Sequence, residues 1–291
     1  MKLLVVLLGV VGSSLSSVFV RWSDAPSLVL VAYRMAFAVV LLLPSVWKAR
    51  AEFSGVTRKT ILLCGVSGLA LGLGFSVSFE SLQHTSIAAS SVLANMEVFF
   101  VALAMVLVFR QRLGKLAWLA IFVTFSGACI IALADGIGSG GGNALWGDAL
   151  AVLAAFLVAV YTMVGAVCRK SMGTTIYTWT IYLCALVTVL ILIFVGGTPL
   201  MGYGLKNIAA ALGLTVFSTL LGHSVFSWGL KYLPAAFVAT LKMLEPLFSS
   251  LWGFLLFHER PGGLVLLGGA VVISGVMLYG RAEAKKTEVS S

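Results

Sequence analysis

Residues 82–127 read LQHTSIAASSVLANMEVFFVALAMVLVFRQRLGKLAWLAIFVTFSG, and residues 230–275 read LKYLPAAFVATLKMLEPLFSSLWGFLLFHERPGGLVLLGGAVVISG. The second stretch is the first displaced by 148 residues, and 15 of the 46 aligned positions are identical. Glu97 falls on Glu245, Arg112 on Arg260, Gly114 on Gly262 and Gly127 on Gly275. Both stretches are too apolar for a water-facing surface, so the repeat is one of membrane-spanning segments. Each half of the chain holds an odd number of such segments, so the halves cross the bilayer in opposite senses. Inverted repeats of this kind build a site at their interface and suit alternating access, which points to transport.

Composition sets the same frame. The chain of 291 residues is 60% hydrophobic and 10% charged, with a mean hydropathy of +1.10, more apolar surface than a soluble fold of this size can bury. The formal charge of +9 suggests nucleic acid at first sight. The bases, however, lie in short loops between apolar runs, as the positive-inside rule requires, and nucleic-acid binding is not expected. Cys64, Cys129, Cys168 and Cys184 have neither CxxC spacing nor a disulfide framework and read as small packing residues.

Ten apolar runs have spanning length: 3–20, 28–47, 60–80, 86–109, 115–134, 146–168, 175–195, 206–229, 235–257 and 263–280. In lipid each must be helical, because unpaired backbone groups cost several kcal/mol apiece there. The first run aligns with a mid-chain segment and is expected to be a retained helix, not a signal peptide. Fourteen Lys and Arg lie on the side of the N-terminus and three (Arg21, Lys206, Arg260) on the other, which predicts both termini in the cytoplasm. Six of seven tryptophans sit at run ends, where an interfacial belt would place them; Trp252 does not. The expected organisation is a first repeat over 1–135, a Gly-rich linker over 136–145, a second repeat over 146–281 and a disordered cytoplasmic tail over 282–291. The linker satisfies G-x-G-x-x-G by chance of composition. It lacks the strand and helix that a dinucleotide loop needs and reads as a flexible joint.

Ionisable groups inside a membrane are the sharpest functional signal, since each costs roughly 2.5–3.5 kcal/mol at a helix centre. Glu97 and Glu245 fall near the middle of runs 4 and 9, and Lys242 lies three residues before Glu245 on the same helical face. Together they predict a polar centre that binds substrate or exchanges a proton; a structural ion pair is the alternative reading. Pro246 removes a helical hydrogen bond next to Glu245. Run 4 has Val98 at the matching position, so only the second half is expected to be broken. Ser90, Asn95, His223 and Trp252 complete the candidate substrate or proton-coupling set. Arg34 either snorkels to the interface or joins Glu80 and His84 in an outer gate; Glu80 and His84 read equally as solvated end residues. Ser13, Ser14, Ser16 and Ser17 offer hydrogen bonds to a solute or close helix packing, and Gly68 with Gly72 is a packing signal. The three histidines lack metal spacing and no metal site or cofactor is expected. There is no H-E-x-x-H, G-x-S-x-G or P-loop, so no enzyme and no ATP-driven pump.

FESLQHTSIAASSVL (residues 79–93) and SWGLKYLPAA (residues 227–236), the latter followed by LEPLF (residues 244–248) and His258-Glu259-Arg260, resemble the two copies found in EamA-type proteins of the drug/metabolite transporter superfamily. The resemblance runs from about residue 3 to 280. It implies an all-α integral membrane protein of ten transmembrane helices, arranged as two inverted five-helix repeats. The central cavity would be lined mostly by spans 1, 3, 4, 6, 8 and 9. It implies a secondary permease, an exporter of a small metabolite such as an amino acid or a drug-like solute, in a cell inner membrane. Protons are the candidate coupling ion, and a monomer or homodimer the assembly. A lipid-handling protein and a non-transporting membrane scaffold are the alternatives.

Overall fold

The computed structural model describes residues 2–107, 114–137, 141–168, 172–223 and 245–290. Among these the chain is all helical, without a strand. The helices are α1 (Lys2–Trp22), α2 (Ser27–Lys48), α3 (Arg58–His84), α4 (Ile87–Ala94), α5 (Glu97–Leu107), α6 (Lys115–Ile137), α7 (Gly141–Cys168), α8 (Thr174–Val195), α9 (Gly204–Gly213), α10 (Glu245–Phe257) and α11 (Gly263–Ser290). A 3-10 turn (Arg50–Gly55) follows α2, and α9 runs on into a π-helical stretch, Leu214–His223. Among the described residues, six helical stretches are long and apolar enough to cross a membrane, and four shorter apolar ones accompany them. Leu62, Phe122, Phe194 and Leu205 are largely exposed, as lipid-facing side chains must be. This is a multi-pass membrane protein.

Small residues set how closely the helices pack. A β-carbon on Gly68 would lie 2.8 Å from the Ile181 carbonyl oxygen, and one on Gly72 would lie 3.0 Å from that of Ala185. The G-x-x-x-G of α3 is therefore the contact face for α8. Helices α6 and α11 cross at glycines from both sides. A β-carbon on Gly127 would come within 2.7 Å of the Val272 amide nitrogen and 2.8 Å of the Gly268 carbonyl oxygen. One on Gly275 would come within 2.6 Å of the Thr124 nitrogen and 3.0 Å of the Ala120 oxygen. Thr124 and Val272, like Ala120 and Gly268, are 148 residues apart, so the crossing is reciprocal in the repeat register.

The remaining packing is paired in the same way. Helix α3 packs along α7, and α1 along the π-helical stretch; α3 packs on α8, and α2 on α9; α1 packs on α10, and α7 on both α4 and α5.

Three features differ from the sequence expectation. Run 4 is broken into α4 and α5 although it has no proline. The 136–145 linker is helical at both ends, since α6 reaches Ile137 and α7 begins at Gly141. The 282–291 tail, expected to be disordered, continues α11 as far as Ser290, and its Ala, Glu and Lys are strong helix formers.

Candidate functional site

A cavity of about 160 Å³ lies inside the helix bundle. Ser13, Ser16 and Ser17 of α1 reach it from one helical face, their spacing of three and four residues placing them together. Phe75, Ser78, Phe79 and Leu82 come from α3, Ser90, Ser91, Ala94 and Asn95 from the end of span 4's first half, and Glu97 from the start of its second. Ala154, Ala155 and Val158 of α7, Ser218 of the π-helical stretch, and Glu245 and Ser249 of α10 complete the wall, with Arg34 of α2. The wall draws on spans 1, 3, 4, 6, 8 and 9, as the resemblance implies, and on span 2 through Arg34 alone. Its hydroxyls and charges would be costly in a sealed apolar core, and they suit a chamber that takes up a polar solute.

Asn95 explains the break in span 4. Its backbone amide and that of Met96 turn to the carbonyls three residues back, Val92 and Leu93, each at 3.0 Å. The Ser91 carbonyl, which would have accepted the Asn95 amide in a regular helix, instead takes the Asn95 side-chain Nδ2 at 2.8 Å. An asparagine thus substitutes for the backbone bond it displaces and holds open a tightened turn. Glu97 sits in the first turn of the helix that resumes there, where the positive end of the helix dipole favours a carboxylate. Its Oε1 accepts a 2.6 Å hydrogen bond from Thr162 of α7.

Arg34 is not at the membrane interface. It is 1% exposed, so the snorkelling reading does not hold. Nε donates to Thr219 Oγ1 at 2.9 Å and Nη2 to Ser218 Oγ at 3.3 Å. The guanidinium carbon stands 4.1 Å from the centre of the Phe75 ring, within cation–π range. Thr215 Oγ1 donates to the Arg34 backbone carbonyl at 3.1 Å. The π-helical stretch therefore presents three hydroxyls to one residue of α2.

Of the residues singled out from sequence, the cavity gathers Glu97, Glu245, Asn95, Ser90 and Arg34. Trp252 stands beside it, its Nε1 donating to Ser14 Oγ at 3.0 Å and tying α10 to α1. Lys242 lies outside the described residues, as do the side chains of His223 and Pro246. Glu80 and His84 pair at 3.3 Å and are both partly exposed; Ser27 Oγ donates to Glu80 at 2.7 Å. No hydrogen bond or ion pair joins Arg34 to that pair among the described residues, so the three do not form one cluster.

A second polar cluster escaped the sequence reading. Arg21, at the end of α1, donates to the Thr85 carbonyl at 2.5 Å and pairs with Glu259 Oε1 at 3.2 Å. Glu259 Oε2 accepts the Ile87 amide at 2.9 Å, and Thr85 Oγ1 donates to the buried Asp148 at 2.9 Å. Four chain segments (the end of α1, the α3–α4 turn, the start of α7 and the α10–α11 loop) are thereby tied together at one end of the bundle. The cluster's three charged residues, Arg21, Asp148 and Glu259, lie at span ends, where sequence alone reads charges as solvated.

The sequence model of the EamA-like transporter family matches residues 1–133 and again residues 145–281. An uncharacterized transporter from Archaeoglobus fulgidus is 28% identical over 251 residues, covering 84% of this chain and 85% of that protein. The pseudopaline exporter CntI of Pseudomonas aeruginosa is 24% identical over 285 residues, 96% of each chain. A protein of known crystal structure superposes with a TM-score of 0.62 at 15% identity, covering 95% of both chains, and so shares the fold.

Proposed function

Because this chain belongs to the EamA-like transporter family, and is a membrane transporter, we propose that it is a secondary permease exporting a small polar metabolite, amino acid-like in size and charge, by alternating access. The observation that carries this reading is the cavity itself, where Glu97, Glu245, Asn95 and Arg34 converge with serine hydroxyls. Transport would proceed by two inverted five-helix halves, residues 1–135 and 146–281, rocking about that chamber. The family match falling once in each half supports this organisation, as does the reciprocal α6–α11 crossing. Protons are the coupling ion in this reading, carried by Glu97 or Glu245, and both termini face the cytoplasm of an inner membrane. The chain carries no enzyme motif and acts by binding and moving its solute.

Counterflow in proteoliposomes across a metabolite panel tests it. Glu97→Gln and Glu245→Gln should each lower transport about tenfold or more, equivalent to about 1.4 kcal/mol of lost binding or coupling, with melting close to wild type. Unfolding of both variants would show that the carboxylates are structural. Silence across the panel together with lipid movement would favour the amphiphile-handling alternative.

A further inference from the structure

We propose that Arg34 is the carboxylate-recognition residue of the cavity, and that the solute is a small zwitterion whose carboxylate docks there while its cationic end faces Glu97 and Glu245. This rests on the proposal that the cavity carries solute. The argument begins with the cost of the charge. A guanidinium cannot shed its proton, and this one is buried within the bundle. Its hydrogen-bond partners, Thr219 and Ser218, are neutral hydroxyls, and the carboxylate that acts on it electrostatically is Glu245, which lines the same cavity. Neutral hydroxyls only partly replace lost hydration, whereas an incoming carboxylate would replace it with charge-assisted bonds.

The geometry is prepared for that exchange. Nε and Nη2 are anchored on the π-helical stretch, and the guanidinium carbon stands over the Phe75 ring. The side chain lines the cavity. A planar fork held on one edge is suited to carboxylate recognition in a way that an ammonium is not. The two glutamates line the same chamber, so a solute there meets both signs of charge. A cavity of about 150 Å³ accommodates a benzene-sized ligand, so this one suits a solute the size of a small amino acid.

The experiment uses the full-length protein in nanodiscs with three matched probe sets: alanine, serine and leucine; the amines left when their carboxylates are removed; and the acids left when their amines are removed. Thermal shift and equilibrium binding are read in parallel. Wild type should bind the zwitterions at least tenfold more tightly than the amines. Arg34→Lys should erase most of that preference, and Ser218→Ala, which leaves the guanidinium in place, should weaken zwitterion binding several-fold. Equal binding of amines and zwitterions by wild type overturns the proposal. So does a folded Arg34→Lys that keeps the preference, or a wild type that binds no zwitterion. Should Arg34→Lys fail to fold, the wild-type comparison and Ser218→Ala decide it. Counterflow separates the two levels. Transport of cationic drugs or sugars without zwitterion binding sinks the Arg34 assignment and leaves the transporter reading standing, while zwitterion binding without transport of any solute does the reverse.

Discussion

His258 has a φ of +58°, the one positive value at a non-glycine residue among those described. It follows the last residue of α10, and the next amide, Glu259, turns back to the Gly253 carbonyl at 3.1 Å. That reversal aims the Glu259 carboxylate at Arg21 and at the Ile87 amide. A left-handed backbone costs an L-residue about 1 kcal/mol that glycine does not incur. His258→Gly should therefore raise the melting temperature by a few degrees, by an increment on the order of 1 kcal/mol. Melting below wild type would show that the imidazole makes contacts worth more than the strain. At this scale the sequence was legible in part. Mid-span Glu97 and Glu245 announced a polar centre because an ionised group in lipid is costly wherever it lies. Arg34 misled because its position, two turns inside a span, permits either snorkelling or burial. The decision rests with Ser218 and Thr219, which are more than 180 residues away along the chain.

Among the elements, span 4 and the α6–α11 pair teach opposite lessons. Proline is the visible helix breaker, and its absence near Glu97 suggested a continuous span. The Asn95 side chain breaks it by capturing the Ser91 carbonyl, a local bond that hydropathy does not record. A mid-span asparagine, which can bond its own local backbone, is the sequence signal for such a turn. The Gly127 and Gly275 identity, by contrast, was legible from the 148-residue shift and marks a close crossing. A methyl group at either position meets backbone atoms at under 3 Å, which cannot rotate away. Gly127→Ala and Gly275→Ala should each destabilise the protein by about 1–3 kcal/mol, as overpacked cores do. Melting of each variant and of the double mutant in detergent checks this. Loss of stability in one but not the other would argue against a symmetrical crossing.

For the whole molecule, hydropathy and the internal repeat made the membrane class plain, because lipid leaves the backbone few choices. They did not reveal which face of each helix turns inward, since runs this apolar have nearly uniform sides. The charge bias of 14 bases to three is a further whole-molecule expectation. A cysteine at Ser139 should react with an impermeant thiol reagent added outside intact cells, and labelling only after lysis would reverse the orientation.

The polarity of the chamber also has an electrical meaning. A membrane potential does work on any net charge that crosses it, about 2.3 kcal/mol per elementary charge for each 100 mV. A solute whose carboxylate meets Arg34 while its ammonium faces the glutamates crosses with its own charges cancelled, and the protein's fixed charges stay behind. For such a solute the resting voltage acts only through a proton moved alongside it, and the solute's own contribution to the direction of flow is its concentration gradient.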